Sequence, residues 1–124
     1  MIRFLHPEWL DALDTAAREV RVDGDGRLTV QQVVRTVGGE TRYHVVVGDG
    51  RIRVAPGQAE APDVTFTQDY DVAAALSRGD LTAQQALSEG ALRLSGDLAG
   101  LAGRAATLAV LGDVFAAVRS QTTY

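Results

Sequence analysis

Few side chains in this 124-residue chain could do chemistry. The two histidines, His6 and His44, are the groups whose ordinary charge change falls near neutral pH. His6 precedes Pro7 at a helix start and reads as a cap or surface group. His44 alternates with Arg42 and Val46 along a strand-like run; turned into a pocket, it would be the best general base in the chain. Asp69 and Asp71 have the look of a carboxylate pair for acid–base work. Both, however, fall in the first turn of a helix signal, where the macrodipole favours negative charge. Ser77, Ser88, Ser95 and Ser120 lie in no G-x-S-x-G context, so no nucleophile elbow is present. Arg21 to Gln32, RVDGDGRLTVQQ, approximates a calcium loop through Asp23, Asp25, Gly26 and Leu28. Arg21 and Gln32 stand where such a loop needs its first aspartate and its bidentate glutamate, and an acidic turn is the better reading. VVVGDGRIR offers a strand and G-x-G without the helix that would receive a pyrophosphate, and reads as a hairpin.

Composition removes further mechanisms. With no cysteine there is no thiolate nucleophile, no disulfide framework and no Cys-based zinc site. All twelve basic residues are arginine, which excludes a Schiff-base lysine, a Walker-type phosphate loop and a Ser–Lys dyad. No catalytic constellation, metal site or cofactor is expected, and binding is favoured over catalysis. The net charge is −4, and the arginines are scattered from Arg3 to Arg119 with no cluster longer than Arg51/Arg53. Neither a nucleic-acid partner nor a polybasic membrane patch fits that pattern. At the N-terminus, MIRFLHPEW is interrupted before a signal-peptide apolar run can form, so the cytoplasm is the expected location.

The elements that must position these groups follow from periodicity. Pro7 to Val20 predicts a helix, with Pro7 at its first position and Leu10, Leu13, Ala17 and Val20 on one face. Strands are predicted at 28–37, 41–47 and 51–55, joined by glycine turns at Gly38-Gly39 and Gly48-Asp49-Gly50, and a fourth at 63–67 follows the loop APGQAEAP. DYDVAAALSRG is a helix stopped by Gly79. TAQQALSEG is another, with Thr82 and Gln85 at capping-box spacing. ALRLS is the fifth strand. The final segment keeps helical period through Leu98, Leu101, Ala105, Leu108, Phe115 and Val118, and glycines at 100, 103 and 112 predict that it breaks into two helices. Arg104 and Asp113 within it rule out a membrane span. The expected architecture is one α+β domain over residues 1–124, a five-stranded, mostly antiparallel sheet covered on one face by helices. The last segment alternates leucine with alanine and glycine, and seven aromatics must fill the core. A layer so short of bulk can leave a ligand cavity rather than close-packed contact.

Asp63 to Asp97, DVTFTQDYDVAAALSRGDLTAQQALSEGALRLSGD, resembles the signature region of the sterol carrier protein type-two domain family. That pattern has a D-V-T-h-T strand, a helix, a G-x-h-x-x-x-x-A-h segment matched by Gly79, Leu81, Ala86 and Leu87, and a G-x-h-x-h-x-G-D strand matched by Gly90, Leu92, Leu94, Gly96 and Asp97. FLHPEWLDAL and DVFAAVRSQTTY resemble the ends of small stand-alone bacterial members. The resemblance implies a sandwich whose sheet and helices enclose an apolar tunnel for fatty acyl chains, sterols or related lipids. Leu92 and Leu94 would face that tunnel, Arg93 and Ser95 would face away, and Leu76, Leu87, Leu98, Leu101, Leu108 and Phe115 would form its helical wall. Many members are basic, which suits anionic membranes. This acidic chain departs from that, so an internal pocket is implied and membrane docking is not.

Three functions are therefore set side by side. The first is a binding protein that shelters an apolar or amphipathic small molecule without stable membrane insertion. The second is an enzyme, or enzyme accessory, of secondary metabolism acting on an apolar intermediate. The third is a collapsed tunnel serving only as a homodimerisation module.

Overall fold

The computed structural model describes the backbone of residues 1–22, 27–102 and 105–124, and the side chains of these except 101–108. In chain order its elements are β1 (Ile2–Arg3), α1 (Pro7–Arg18), β2 (Leu28–Thr36), β3 (Gly39–Gly48), β4 (Arg51–Pro56), β5 (Val64–Asp69), α2 (Tyr70–Arg78), α3 (Ala83–Ser88), β6 (Arg93–Gly96), α4 (Leu98–Ala102), α5 (Ala105–Arg119) and β7 (Thr122–Thr123). The acidic turn read at Asp23, Asp25 and Gly26 lies outside the described residues.

β2 to β6 form one sheet in the order β4-β3-β2-β5-β6, in which the β2–β5 pair is parallel and the other pairs are antiparallel. The β3–β4 hairpin turns through Asp49 and Gly50, both at positive φ (55° and 74°), the combination a two-residue turn needs to match strand twist. After β4 the chain crosses the outer face of the sheet and re-enters as β5 beside β2. Gln31, fully buried on that outer face, fastens the crossing. Its Nε2 donates to the carbonyls of Tyr43 and Gly57 (3.0 and 3.3 Å), and its Oε1 accepts from Ala59 N at 2.7 Å. Covered on both faces, β2 is buried continuously from Val30 to Val34, whereas β3 alternates.

The inner face carries the helices: α1 lies over β4, α2 lies over β2 and β5, and α5 packs against both helices. Trp9, Leu10, Leu13 and Ala17 make the buried stripe of α1, and Val114 and Val118 that of the end of α5. Asp14 ties α1 to β4 by accepting from Val54 N at 2.8 Å and from Arg53 Nε at 3.2 Å. The capping box at Thr82 and Gln85 forms, with hydrogen bonds of 3.1 and 3.0 Å. The last segment is two helices, α4 and α5, and α5 runs through Gly112 without a break.

Two differences from the sequence expectation bear on the site. The fifth strand begins at Arg93, so Leu92 sits in the turn before it, its N donating to Ala86 O at 3.1 Å. A parallel pair of two-residue strands, β1 and β7, joins the two ends of the chain, with Ile2 opposite Thr122. Strands that short carry no readable period.

Candidate functional site

The sheet register sorts the inner face into rows. Pro56, Tyr43, Gln32, Phe66 and Leu94 lie side by side across all five strands; the next row is Val54, Val45, Val30, Val64 and Gly96. Above these rows the aromatic side chains are segregated. Phe4, Trp9, Tyr43, Tyr70, Phe115 and Tyr124 form one connected cluster, with ring centroids 4.8 to 6.1 Å apart, where α1, α5 and the chain ends meet. The seventh aromatic, Phe66, stands apart on β5. Beyond the cluster the described helical residues facing the sheet include Ala73 and Leu76 from α2 and Leu111 and Gly112 from α5, all small or aliphatic. That shortage of bulk leaves a cavity of about 380 Å³ between sheet and helices.

Its floor is Val30, Val45, Phe66 and Leu94, its aromatic end is Phe4, Tyr43 and Phe115, and its remaining wall includes Leu81, Leu87 and Leu92. Five of the residues expected from the sequence thus meet at one space: Leu76, Leu87, Leu92, Leu94 and Phe115. Arg93 and Ser95 are exposed, as expected. Leu98 is placed differently. It is 49 % exposed and outside the cavity wall, at the start of the short helix α4 that leaves the edge strand β6. The side chains of Leu101 and Leu108 lie outside the described residues.

The wall has a few polar members. Gln32 and Gln68, both buried on the inner face, are joined by a hydrogen bond of 2.7 Å from Gln68 Nε2 to Gln32 Oε1. Burial pushes the Tyr43 phenol well above its ordinary pKa, so it stays protonated. Ser77 Oγ and Tyr124 OH share a hydrogen bond of 2.8 Å, and Arg119 Nε donates to Ser77 O, also at 2.8 Å. Alternation offered a signal for the glutamines: each occupies an apolar-phase position of its strand, Gln32 between Val30 and Val34, Gln68 after Val64 and Phe66. Tyr43 likewise stands in phase with Val45 and Val47 along β3, whereas Arg119 had no such signal.

His44 does not reach this space. It lies on the outer sheet face, where its Nδ1 bonds Gly57 O at 3.0 Å, so the side chain best suited to act as a base is outside the cavity. Asp69 precedes α2 as its N-cap residue and Asp71 lies in its first turn; neither lines the cavity. Among the described residues there is no cluster of groups able to hold a metal ion, and no helix is long and apolar enough to cross a membrane.

Several residues shared with the family-like pattern prove architectural. Asp63 Oδ2 accepts from Thr29 N at 2.8 Å and pins the start of β5 to β2. Gly96, at φ 103°, lets β6 approach so closely that a Cβ there would collide with Asp63 O. Asp97 N then donates to Asp63 O at 2.8 Å.

A mixed sheet roofed by helices around an apolar space defines a class of α+β domain with an internal apolar site. The chain belongs to the SCP-2 sterol transfer family, which matches residues 14–109. No curated protein matches the chain significantly. Among solved structures it is similar to palmitated sterol carrier protein 2-like 2 from Aedes aegypti, with 27 % identity, TM-score 0.64, and coverage of 85 % of this chain and 88 % of that one. A crystal structure of sterol carrier protein 2 shares 20 % identity at TM-score 0.73, covering 90 % and 96 % of the two chains. The solution structure of a conserved hypothetical protein from Thermus thermophilus also shares 20 % identity, with TM-score 0.70 and coverage of 100 % and 93 %.

Proposed function

We propose that residues 1–124 act as a single lipid-binding domain. The cavity between sheet and helices is its ligand site, taking an apolar or amphipathic small molecule such as a fatty acyl chain, a sterol or a related lipid. The observation that carries this reading is the cavity itself: about 380 Å³, toward the lower end of the ~300–1,000 Å³ usual for small-molecule sites. An open space of that size favours a ligand site over a collapsed core. Leu76, Leu87, Leu92, Leu94 and Phe115 are the apolar contacts. Burial of ligand surface, at about 25 cal/mol per Å² before ordering costs, is the driving force. Family membership and a relative solved with palmitate support the same class of ligand.

Gentle mass spectrometry of freshly purified protein, with organic extraction of anything bound, is the test. A co-purifying mass of lipid size is expected. A clean unliganded mass from protein that also takes up neither palmitate nor a sterol overturns the reading.

A further inference from the structure

Arg119 stands out among the described cavity residues because it carries a charge. It ends α5, is half-buried, and borders the cavity where α2 stops. Two contacts hold its guanidinium. Its Nε donates to Ser77 O at 2.8 Å. Its Cζ and both Nη atoms lie 3.1 to 3.2 Å from the point a Cβ on Gly79 would occupy, so the plane rests against a glycine whose φ of 84° also closes α2. The C-terminal end of α2 favours a cation at this spot.

These contacts use one of the five N–H donors of the fork and leave the Nη groups. Among the described residues, the ion pairs engage Arg18, Arg42, Arg53 and Arg78 with Asp14, Glu40 and Asp80, and none engages Arg119. Among the described residues, no aspartate or glutamate lines the cavity. An apolar space thus has a permanently charged donor group at its edge, where partial desolvation strengthens attraction for an anion. A planar guanidinium matches a carboxylate through two parallel hydrogen bonds.

We propose that Arg119 is the headgroup site of the cavity and selects single-chain amphiphiles bearing a carboxylate. The acid lies against the end of α2 and the chain runs over Leu76, Phe66 and Leu94. This inference rests on the cavity being the ligand site and adds which end of the ligand goes where.

The test compares palmitic acid with cetyl alcohol, its uncharged analogue, at neutral pH. The wild-type protein should bind the acid more tightly. Arg119→Gln should lower the acid-to-alcohol affinity ratio by about 10- to 100-fold, the scale of a charge-assisted hydrogen bond, and Arg119→Lys, which keeps charge without the fork, should fall between. Equal binding of acid and alcohol by the wild type, or an unchanged ratio in Arg119→Gln, overturns the headgroup assignment while leaving the cavity reading intact. Binding of neither ligand by the wild type overturns both. Should Arg119→Gln fail to fold, palmitate labelled at its carboxyl carbon decides on the wild type alone. The bound carboxyl should remain ionised to lower pH than free palmitate in detergent, and titration at or above the free value overturns the assignment.

Discussion

Gln68 Nε2 donates to Gln32 Oε1 at 2.7 Å across the parallel strands β5 and β2, on the face of the sheet that floors the cavity. Both side chains are buried, and both stand in strand positions whose neighbours along the same face are valine or phenylalanine. Each satisfies part of the other's hydrogen-bonding demand within the cavity wall.

Removing one partner should therefore cost more than removing both. Gln68→Leu leaves the Gln32 amide unpaired and should destabilise the fold by about 1–3 kcal/mol. In the double variant Gln32→Leu/Gln68→Leu most of that loss should return, since no buried polar group is stranded. Urea denaturation of the two single variants and the double variant would measure the coupling; strictly additive losses would contradict it.

Leu92 is 3 % exposed and faces the cavity. Leu92→Trp should place its indole in the open volume, reducing uptake of palmitate at least tenfold while the melting temperature changes little. A tightly filled core would behave differently, because overpacking costs about 1–3 kcal/mol. Ligand titration alongside a melting curve separates the two.

Asp14 predicts a pH dependence. Burial raises its pKa, but the Val54 N–H together with Arg53 and Arg18 outweighs that effect and holds the carboxyl below its ordinary 3.8. A group depressed in the folded state stabilises fully above its unfolded value, and that stabilisation is lost as pH falls through the folded one. Asp14→Ala should thus destabilise by about 1–3 kcal/mol at neutral pH, and the gap from wild type should narrow below about pH 4. A gap that stays constant down to strongly acidic pH would mean that the carboxylate is not the clamp between α1 and β4.

Gly96 tests the architectural reading of the family-like pattern. Gly96→Ala must force a Cβ against Asp63 O at a positive φ, so β6 should separate from β5. A loss of at least about 1–3 kcal/mol is expected. Amide exchange should quicken first at Asp97, whose N–H is bonded to Asp63 O.

Much of this protein was legible in the sequence because local physics sets it. Pro7 and the spacing of Leu10, Leu13 and Ala17 define α1; Asp49-Gly50 defines a hairpin; Thr82 and Gln85 define a helix start. The order and spacing of Asp63 to Asp97 carry the family resemblance, and the family matches residues 14–109. Alternation along β6 and period along α2 likewise pick out Leu94 and Leu76 as inward residues. Other features depend on which segments meet, which no local pattern encodes. The parallel β1–β7 pair, the gathering of six aromatics at one end, the surface position of Leu98 and the seat of Arg119 on Gly79 all arise from long-range packing. The sequence by itself determined the longer elements and the apolar character of the layer between them. Only the tertiary structure decided where that layer is left unfilled, because a cavity is set by the summed volumes of side chains from distant segments and not by the period of any one.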